Sequence, residues 1–216
     1  MKLDQLLADG IGALGLGKQV DAAATGKLLA YVTLLERWNR THNLTAIREP
    51  ERMITHHLLD SLAVLPFLPA RPALRLIDVG SGGGLPGIPL AIVRPDWHVA
   101  LLDSNHKKAV FLQQAVIELP LANVEVIAGR AEDFVPAAHF DIAISRAFSD
   151  LALFVNVAAG LLSTQGKFIA MKGVYPHEEL AQLPSDVRVE HSPVLHIPGL
   201  TGERHLVIMD RARRAA

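Results

Sequence analysis

LIDVGSGGGLPG, at residues 76–87, is the segment from which the architecture of this chain can be inferred. Its apolar start with one acid, Asp78, is typical of a parallel strand buried on both faces. Four glycines follow this strand directly: Gly80, Gly82, Gly83 and Gly84. A helix beginning at Pro86 would point its free N–H groups at the glycine turn, where a ligand can approach the backbone closely. The segment therefore predicts a strand, a ligand-binding turn and a helix.

Strand-like and helix-like patterns alternate on the C-terminal side of this segment. Apolar runs typical of strands lie at residues 74–79, 99–102, 124–128, 140–145 and 166–171. Helical patterns begin at Pro86 and occupy residues 106–119 and 150–162. Two more strand-like runs, 187–194 and 205–209, leave no room for a helix between them, so we expect an antiparallel hairpin. The predicted fold class is α/β, with a doubly wound, mostly parallel, seven-stranded sheet.

The first 70 residues have a different pattern, because their apolar residues recur at helical spacing. One helix starts near Leu3, and the glycines expected to break it are Gly10, Gly12, Gly15 and Gly17. A second helix follows the capping residue Asp21, and a third runs from Pro50 to about residue 65. We expect an N-terminal helical extension, a ligand-binding domain and a basic, disordered tail, at residues 1–70, 71–210 and 211–216.

Composition limits the possible functions. The chain is 50% hydrophobic, and its lack of cysteine excludes disulfides, thiolate metal sites and cysteine nucleophiles. A formal net charge of -1 argues against a large, non-specific DNA or RNA surface, although a small basic patch for one structured RNA fits. The N-terminal stretch lacks the pattern of a signal peptide, and no segment is apolar enough to span a membrane. We therefore expect a cytoplasmic protein with neither membrane nor DNA partners.

The glycine turn fits two cofactors. Gly82, Gly84 and Gly87 satisfy the dinucleotide pattern G-x-G-x-x-G, and Asp103 lies at a suitable distance to bind a ribose. Asp78 extends the turn to D-x-G-x-G-x-G, and its carboxylate would pair with the methionyl ammonium of S-adenosylmethionine (SAM) but repel a pyrophosphate. The short chain and its terminal hairpin also favour SAM. We predict a SAM-dependent methyltransferase, with a NAD-dependent oxidoreductase as the alternative.

Six motifs together resemble one known family. In chain order they are WNRTHNLTAI (38–47), HHLLDSL (56–62), DVGSGGGLPGIPLA (78–91), LLDSNHKKAVFL (101–112), GRAED (129–133) and ISRAF (144–148). They resemble the bacterial GidB/RsmG family from about residue 28 to residue 210. The resemblance implies a Rossmann-like class I SAM-dependent methyltransferase that modifies guanine N7 in 16S rRNA, within free rRNA or the small ribosomal subunit. The alternatives are a methyltransferase of the same fold for a small molecule or protein, and a non-catalytic RNA-binding protein.

The resemblance also implies roles for individual residues. Gly80 and Leu85 belong to the cofactor turn, and Asp103 binds the ribose. Ala131 and Glu132 flank the adenine, whereas Arg146 closes the site on the cofactor or substrate side. The full set of expected cofactor-binding residues is Asp78, Gly80, Gly82, Leu85, Asp103, Ala131, Glu132 and Arg146. Position 83, a glycine here, is often a proline in the family, and we expect the glycine only to loosen the turn.

The chemistry of guanine N7 explains why no acid–base pair stands out in the sequence. This nitrogen has a lone pair and carries no proton, so its methylation needs no general base. Catalysis would come from orientation, for which Arg146 is the candidate because it follows the fourth strand, where open α/β sheets place ligands. The alternative for Arg146 is an ion pair with a nearby acid such as Asp78 or Glu132.

RNA binding requires cations near the carboxyl edge of the sheet. The residues expected to contact RNA are Arg48, Arg52, His56, Lys172 and Arg204. His56, His57 and Asp60 share one helix face, but no further ligand stands nearby in the sequence. We therefore expect these three side chains to cap or pack, with no metal bound. We also expect the chain to act as a monomer.

Overall fold

The computed structural model describes residues 2–211 and contains one seven-stranded sheet. The strands are β1 (Arg75–Val79), β2 (His98–Asp103), β3 (Val124–Ala128), β4 (Phe140–Arg146), β5 (Leu162–Lys172), β6 (Val187–His191) and β7 (His205–Arg211). Their spatial order is β3-β2-β1-β4-β5-β7-β6. The first five strands pair in parallel, and β7 runs antiparallel between β5 and β6. The doubly wound sheet and its terminal hairpin are confirmed.

Helices precede the sheet and connect its strands. They are α1 (Leu3–Ala13), α2 (Ala22–His42), α3 (Pro50–Met53), α4 (Asp60–Leu62), α5 (Gly87–Val93), α6 (His106–Glu118), α7 (Leu151–Ala158) and α8 (His177–Ala181). A π-helical segment (Ile54–Leu59) joins α3 to α4. The expected cap Asp21 accepts a hydrogen bond from the Ala24 N–H at 2.7 Å, so α2 begins where the sequence predicts.

The side chains of β1 alternate between two hydrophobic cores. Leu76 belongs to one core, and Ile77 and Val79 belong to the other. Because neighbouring residues of a strand point to opposite faces, the two cores lie on the two faces of the sheet. The strand order reverses between β1 and β4, and open α/β sheets bind ligands at the carboxyl ends of strands beside such a reversal.

The N-terminal helices belong to the larger of these cores. Leu7 of α1, Leu28 and Leu35 of α2, and Leu59 of the π-helical segment cluster with Leu76 of β1. All five are fully buried, so the helices pack directly against the sheet. The division of the chain at residue 70 stays a prediction. Among the described residues, no helix has the length and apolarity needed to cross a membrane.

Two expectations about individual elements are wrong, and one short helix lies where the sequence predicts no element. α1 continues through Gly10 and Gly12 and ends at Ala13. The helix packs closely against Leu59 at Gly10, where a Cβ would lie 2.3 Å from Cδ1 of that leucine. The short helix α8 follows β5, where the sequence shows no long apolar period. Arg211 belongs to β7 and pairs with Asp186 at 3.5 Å rather than lying in a disordered tail. The rest of that tail lies outside the described residues.

The two glycines inside α1 test this close packing. Gly12→Ala should raise the free energy of unfolding by about 0.5–1 kcal/mol, because alanine favours a helix and no atom lies within 4 Å of the new Cβ. Gly10→Ala should be less stable than Gly12→Ala by about 1–3 kcal/mol, since its Cβ overpacks against buried Leu59. Urea unfolding followed by circular dichroism measures both, and equal stabilities would contradict the packing.

Candidate active site

Hydrogen bonds tie the glycine turn to the end of β2. Gly80 and Gly82 have φ angles of +74° and +59°, which residues with a side chain rarely adopt. The Gly80 N–H donates to the Leu102 carbonyl at 2.8 Å. The Gly82 N–H donates to Oδ2 of Asp103 at 2.7 Å. The turn is therefore fixed at the carboxyl edge of the sheet, where the sequence predicts it.

Asp78 is fully buried near the end of β1. Its Oδ2 accepts the N–H of Gly87, the first residue of α5, at 2.8 Å. Only glycine fits at position 87, because a Cβ there would lie 2.9 Å from that oxygen and 2.3 Å from Cδ2 of Leu101. The Oδ1 atom of Asp78 has no hydrogen-bond partner among the described residues. A buried carboxylate oxygen without a partner fits an ammonium ligand such as the methionyl group of SAM.

Burial raises the pKa of Asp78 from its ordinary 3.8 to about 7, against the lowering effects of the Gly87 N–H and of Arg146. The carboxyl is therefore poised to change its charge near neutral pH. An ammonium group placed beside Oδ1 would favour the ionised form.

Asp103 connects the glycine turn to the start of α6 through two hydrogen bonds. Its Oδ2 accepts the Gly82 N–H, and its Oδ1 accepts the Asn105 N–H at 2.8 Å. Asn105, and not Asp103, caps α6 by accepting the N–H of Lys107 at 3.0 Å. A carboxylate has about four acceptor positions, so Asp103 retains capacity for two ribose hydroxyls.

A cavity of about 220 Å³ lies beside the turn, at the carboxyl ends of β1, β2 and β3. Three residues that the family resemblance assigns to the cofactor line it: Gly80, Ala131 and Glu132. The apolar side chains of Leu102, Phe148 and Leu153 line it as well. Apolar walls with a few polar groups suit a flat ring such as adenine. Glu132 pairs with Arg130 at 3.0 Å, whereas Leu85 is buried and does not line this cavity.

Arg146 ends β4 and is bound to the N-terminal helical region. Its Nη1 donates to the His56 carbonyl at 3.0 Å and to Oδ2 of Asp60 at 3.2 Å, and it lies 3.4 Å from Nδ1 of His57. Arg146 thus forms an ion pair with an acid, as the alternative expects, but the acid is Asp60 of α4 and neither Asp78 nor Glu132, which pairs with Arg130.

Burial and, to a smaller extent, the neighbouring Arg146 guanidinium lower the pKa of His57 to about 4. The ring is therefore neutral at neutral pH and does not repel Arg146. Burial also raises the pKa of Asp60, while the Arg146 guanidinium opposes that rise. Among residues 2–211, no cluster of three His, Cys, Asp or Glu side chains has the arrangement of a metal site.

A second cavity, of about 330 Å³, lies at the carboxyl ends of β4 and β5. Three residues expected to contact RNA line it together with Arg146: His56, Lys172 and Arg204. The Lys172 ammonium already donates to Oε2 of Glu179 at 2.6 Å and to the Phe148 carbonyl at 2.9 Å. Arg48 and Arg52 are exposed and do not line this cavity. Their contact with RNA stays a prediction.

Sequence reasoning missed two residues that shape the site. The Tyr31 hydroxyl of α2 donates to the Gly83 carbonyl of the turn, and burial raises the pKa of Tyr31 so that the hydroxyl keeps its proton. Asp60, which the sequence places on a helix face with two histidines, is only 3% exposed and contacts two arginines. Each of them could have been recognised as a polar side chain within a helical pattern of apolar residues.

The strand order and the acid-flanked glycine turn define a class of protein. A SAM-dependent methyltransferase from Aquifex aeolicus has a TM-score of 0.59 at 18% identity and covers 82% of this chain and 97% of that chain. A mutant of MtNAS in complex with S-adenosylmethionine has a TM-score of 0.60 at 15% identity and covers 98% of this chain and 88% of that chain. The fold is that of the class I SAM-dependent methyltransferases.

Sequence similarity then identifies the family. Residues 24–207 match the family GidB, described as rRNA small subunit methyltransferase G. A relative of that name from Nitrosospira multiformis is 55% identical over 213 residues, covering 95% of this chain and 96% of the relative. Another from Laribacter hongkongensis is 54% identical over 207 residues, covering 96% and 98%. The chain therefore belongs to the GidB family of small-subunit rRNA methyltransferases, and the NAD-dependent alternative is not favoured.

Two glycines with open surroundings test whether the cavity beside the turn holds the cofactor. A Cβ on Gly129 or on Gly160 would meet no atom within 4 Å, but only Gly129 lines the cavity. Gly129→Leu should fill the cavity and raise the Kd for SAM about tenfold or more, which corresponds to about 1.4 kcal/mol. Gly160→Leu is the control and should leave the Kd unchanged. Isothermal titration measures both, and equal Kd values would place the cofactor elsewhere.

The raised pKa of Asp78 predicts a pH dependence of stability. The folded chain binds more protons than the unfolded chain between pH 3.8 and about 7, so ionisation of Asp78 lowers stability as pH rises through this window. The slope can reach about 1.4 kcal/mol per pH unit. Asp78→Asn should remove this part of the slope. Urea unfolding of both proteins from pH 4.5 to 7.5 measures it, and parallel pH profiles would contradict the raised pKa.

Proposed function

We propose that this chain transfers the methyl group of SAM to N7 of one guanine in 16S rRNA of the small ribosomal subunit. The observation that carries the proposal is the pair of cavities at the carboxyl edge of the sheet. Arg146 and Ala147 line one cavity, and Phe148 lines the other, so the end of β4 separates the two. The cofactor would occupy the cavity beside the glycine turn, and the guanine would enter the second cavity.

The residues around the turn supply what the cofactor requires. When bound, SAM supplies an electrophilic methyl group on a sulfonium. Oδ1 of Asp78 would accept the methionyl ammonium, and Asp103 would accept the ribose hydroxyls. Gly80, Gly82 and Leu85 would shape the turn around the methionine part. Ala131 and Glu132 would flank the adenine at the end of β3.

The chemistry at guanine N7 suits a site without a general base. The nitrogen attacks through a lone pair and loses no proton, so the protein needs only to align it and exclude water. Arg146 is the orienting group in this proposal, because hydrogen bonds to His56 and Asp60 fix its guanidinium at the wall of the second cavity. A planar, fixed guanidinium can stack on a base or bind an anionic oxygen with two donors.

The proposal includes an RNA partner, a cellular location and an oligomeric state. The RNA substrate would contact the second cavity through His56, Arg146 and Arg204, with Arg48, Arg52 and Lys172 contributing charge nearby. We place the activity in the cytoplasm and in a monomer.

One experiment tests the reaction directly. Small subunits from a bacterial strain that lacks the endogenous enzyme are incubated with the chain and methyl-labelled SAM, and the labelled nucleotide is mapped. We expect label at N7 of a single guanine in 16S rRNA. The absence of label in every form of rRNA, or label on another atom, would overturn the proposal. Naked 16S rRNA serves as the second substrate and shows whether the assembled particle is required.

The orienting role of Arg146 can be separated from its ion pair. Arg146→Lys keeps a cation beside Asp60 but loses the planar fork of donors. We expect thermal stability close to that of the unmodified chain and a methylation rate lower by about 10- to 100-fold, because misplacement of a reacting group has that effect. Arg71→Lys, at an exposed ion pair with Asp141, is the control and should retain the full rate. Normal activity of Arg146→Lys would remove Arg146 from the mechanism.

A further inference from the structure

The second cavity contains two guanidinium groups that share one buried carboxylate. Oδ2 of Asp60 lies 3.2 Å from Nη1 of Arg146, and Oδ1 lies 3.3 Å from Nε of Arg204. The Asp60 side chain is 4% exposed, whereas the two arginine side chains are 21% and 29% exposed. The carboxylate is thus inside the protein, and the two cations form part of the cavity surface.

The π-helical segment gives Arg146 a second anchor. In a regular α-helix the Asp60 N–H would bond to the carbonyl of His56, four residues earlier. Here it bonds to the carbonyls of Thr55 and His57. The His56 carbonyl accepts Nη1 of Arg146 at 3.0 Å instead. Such π-turns are frequent at functional sites, and this one turns a backbone acceptor toward a side chain of β4.

Arg146 is held through Nη1 alone, whereas Arg204 is held through Nε and Nη1, and Nη2 is the outward group of both. Nη1 of Arg146 contacts His56 and Asp60, and Nη1 of Arg204 donates to the Glu203 carbonyl at 2.8 Å. Within the described part of the chain, no hydrogen-bond acceptor contacts Nη2 of either arginine. Because a guanidinium has five N–H donors in a fixed plane, holding one edge orients the free edge. Two oriented donor groups therefore remain available in the same cavity.

The charge beside the two guanidinium groups favours an anion there, with the guanine in another part of the same cavity. Three cations line it, namely Arg146, Arg204 and Lys172, and two carboxylates pair with them, namely Asp60 and Glu179. Methylation at N7 places positive charge on the guanine ring, which a cationic surface against the ring would disfavour. A phosphate group is the RNA component that benefits from this charge and matches two guanidinium forks.

We propose that Asp60 is a positioning residue that holds Arg146 and Arg204 as a paired receptor for an RNA phosphate beside the methylated guanine. This inference rests on the proposed rRNA substrate. It assigns Asp60 no contact with RNA or cofactor, so its effect passes through the two arginines.

Replacing Asp60 gives opposite results for a positioning role and for a simple charge effect. Asp60→Asn removes a negative charge from an RNA-binding cavity, and charge alone would then strengthen RNA binding. A positioning role predicts the reverse: a KM for small subunits raised by about tenfold, with kcat changed less. Asp141→Asn is the matched control, since Asp141 also joins an arginine, Arg71, and a backbone N–H but lies outside the cavity. The control should behave as the unmodified chain.

Arg204→Gln supplies the second measurement, independent of whether Asp60→Asn folds. Loss of one phosphate contact should raise the Kd for 16S rRNA and make the slope of log Kd against log salt shallower by about one. The full chain is used, with filter binding over a series of KCl concentrations and with thermal unfolding as the check on folding. An unchanged Kd and slope for Arg204→Gln, or tighter RNA binding by Asp60→Asn, would overturn the receptor.

The anion could instead be the carboxylate of SAM, and a parallel titration separates the two sources. We expect Arg204→Gln and Asp60→Asn to leave the Kd for SAM within about threefold, a change that corresponds to less than one kcal/mol. A raised Kd for SAM with unchanged RNA binding would assign the receptor to the cofactor and overturn the inference. If the unmodified chain binds 16S rRNA but methylates no rRNA, the proposed function fails, and the salt slopes still decide the receptor.

Discussion

The bond between the Asp78 carboxylate and the first N–H of α5 fixes the geometry on which the cofactor side of the molecule depends. One oxygen of this fully buried side chain accepts the Gly87 N–H, which sets where α5 starts relative to β1. The glycine turn must then span the short distance between them. The backbone at Gly80 and Gly82 adopts left-handed φ angles to do so. The hydrogen bond that offsets part of the cost of burying the Asp78 carboxylate therefore also constrains the shape of the turn.

Asp103 adds the second constraint on the same turn. It accepts N–H groups from Gly82 and Asn105, and so connects the turn to the start of α6. Two acids at the ends of adjacent strands therefore organise two helix starts, and the cavity beside the turn lies between them and the end of β3. The second cavity is organised by a third acid, Asp60, which comes from the N-terminal helices rather than from the sheet.

The sequence predicts the sheet well because a parallel strand buried on both faces leaves a local signature. The expected run at residues 74–79 matches β1, of which all but the first residue are buried, and the absence of a helix before β7 correctly predicts the terminal hairpin. The break of α1 at Gly10 was wrong, because whether a glycine ends a helix depends on what packs against it. Here the neighbour is Leu59, almost 50 residues away in the chain.

The residues of the candidate site likewise divide into those that local sequence predicts and those that depend on tertiary packing. Gly80, Ala131 and Glu132 could be placed from motifs because Gly80 directly follows β1 and the other two lie in the turn after β3. The partner of Arg146 could not, since Asp60 is 86 residues earlier in the chain and approaches only after the N-terminal helices pack on the sheet. Nor does local sequence reveal the π-helical segment that offers the His56 carbonyl. A shift in helical register depends on the tertiary contacts that stabilise it.

The hydrogen bond from Tyr31 to the Gly83 carbonyl has a consequence for how this chain can diverge. The acceptor is a backbone oxygen, which glycine and proline both possess, so exchange between these residues at position 83 leaves the bond available. The donor is a side-chain hydroxyl buried in α2, and phenylalanine there would leave a carbonyl unpaired. A substitution in the turn that keeps the backbone carbonyl therefore preserves the bond, whereas loss of the Tyr31 hydroxyl in α2 removes it.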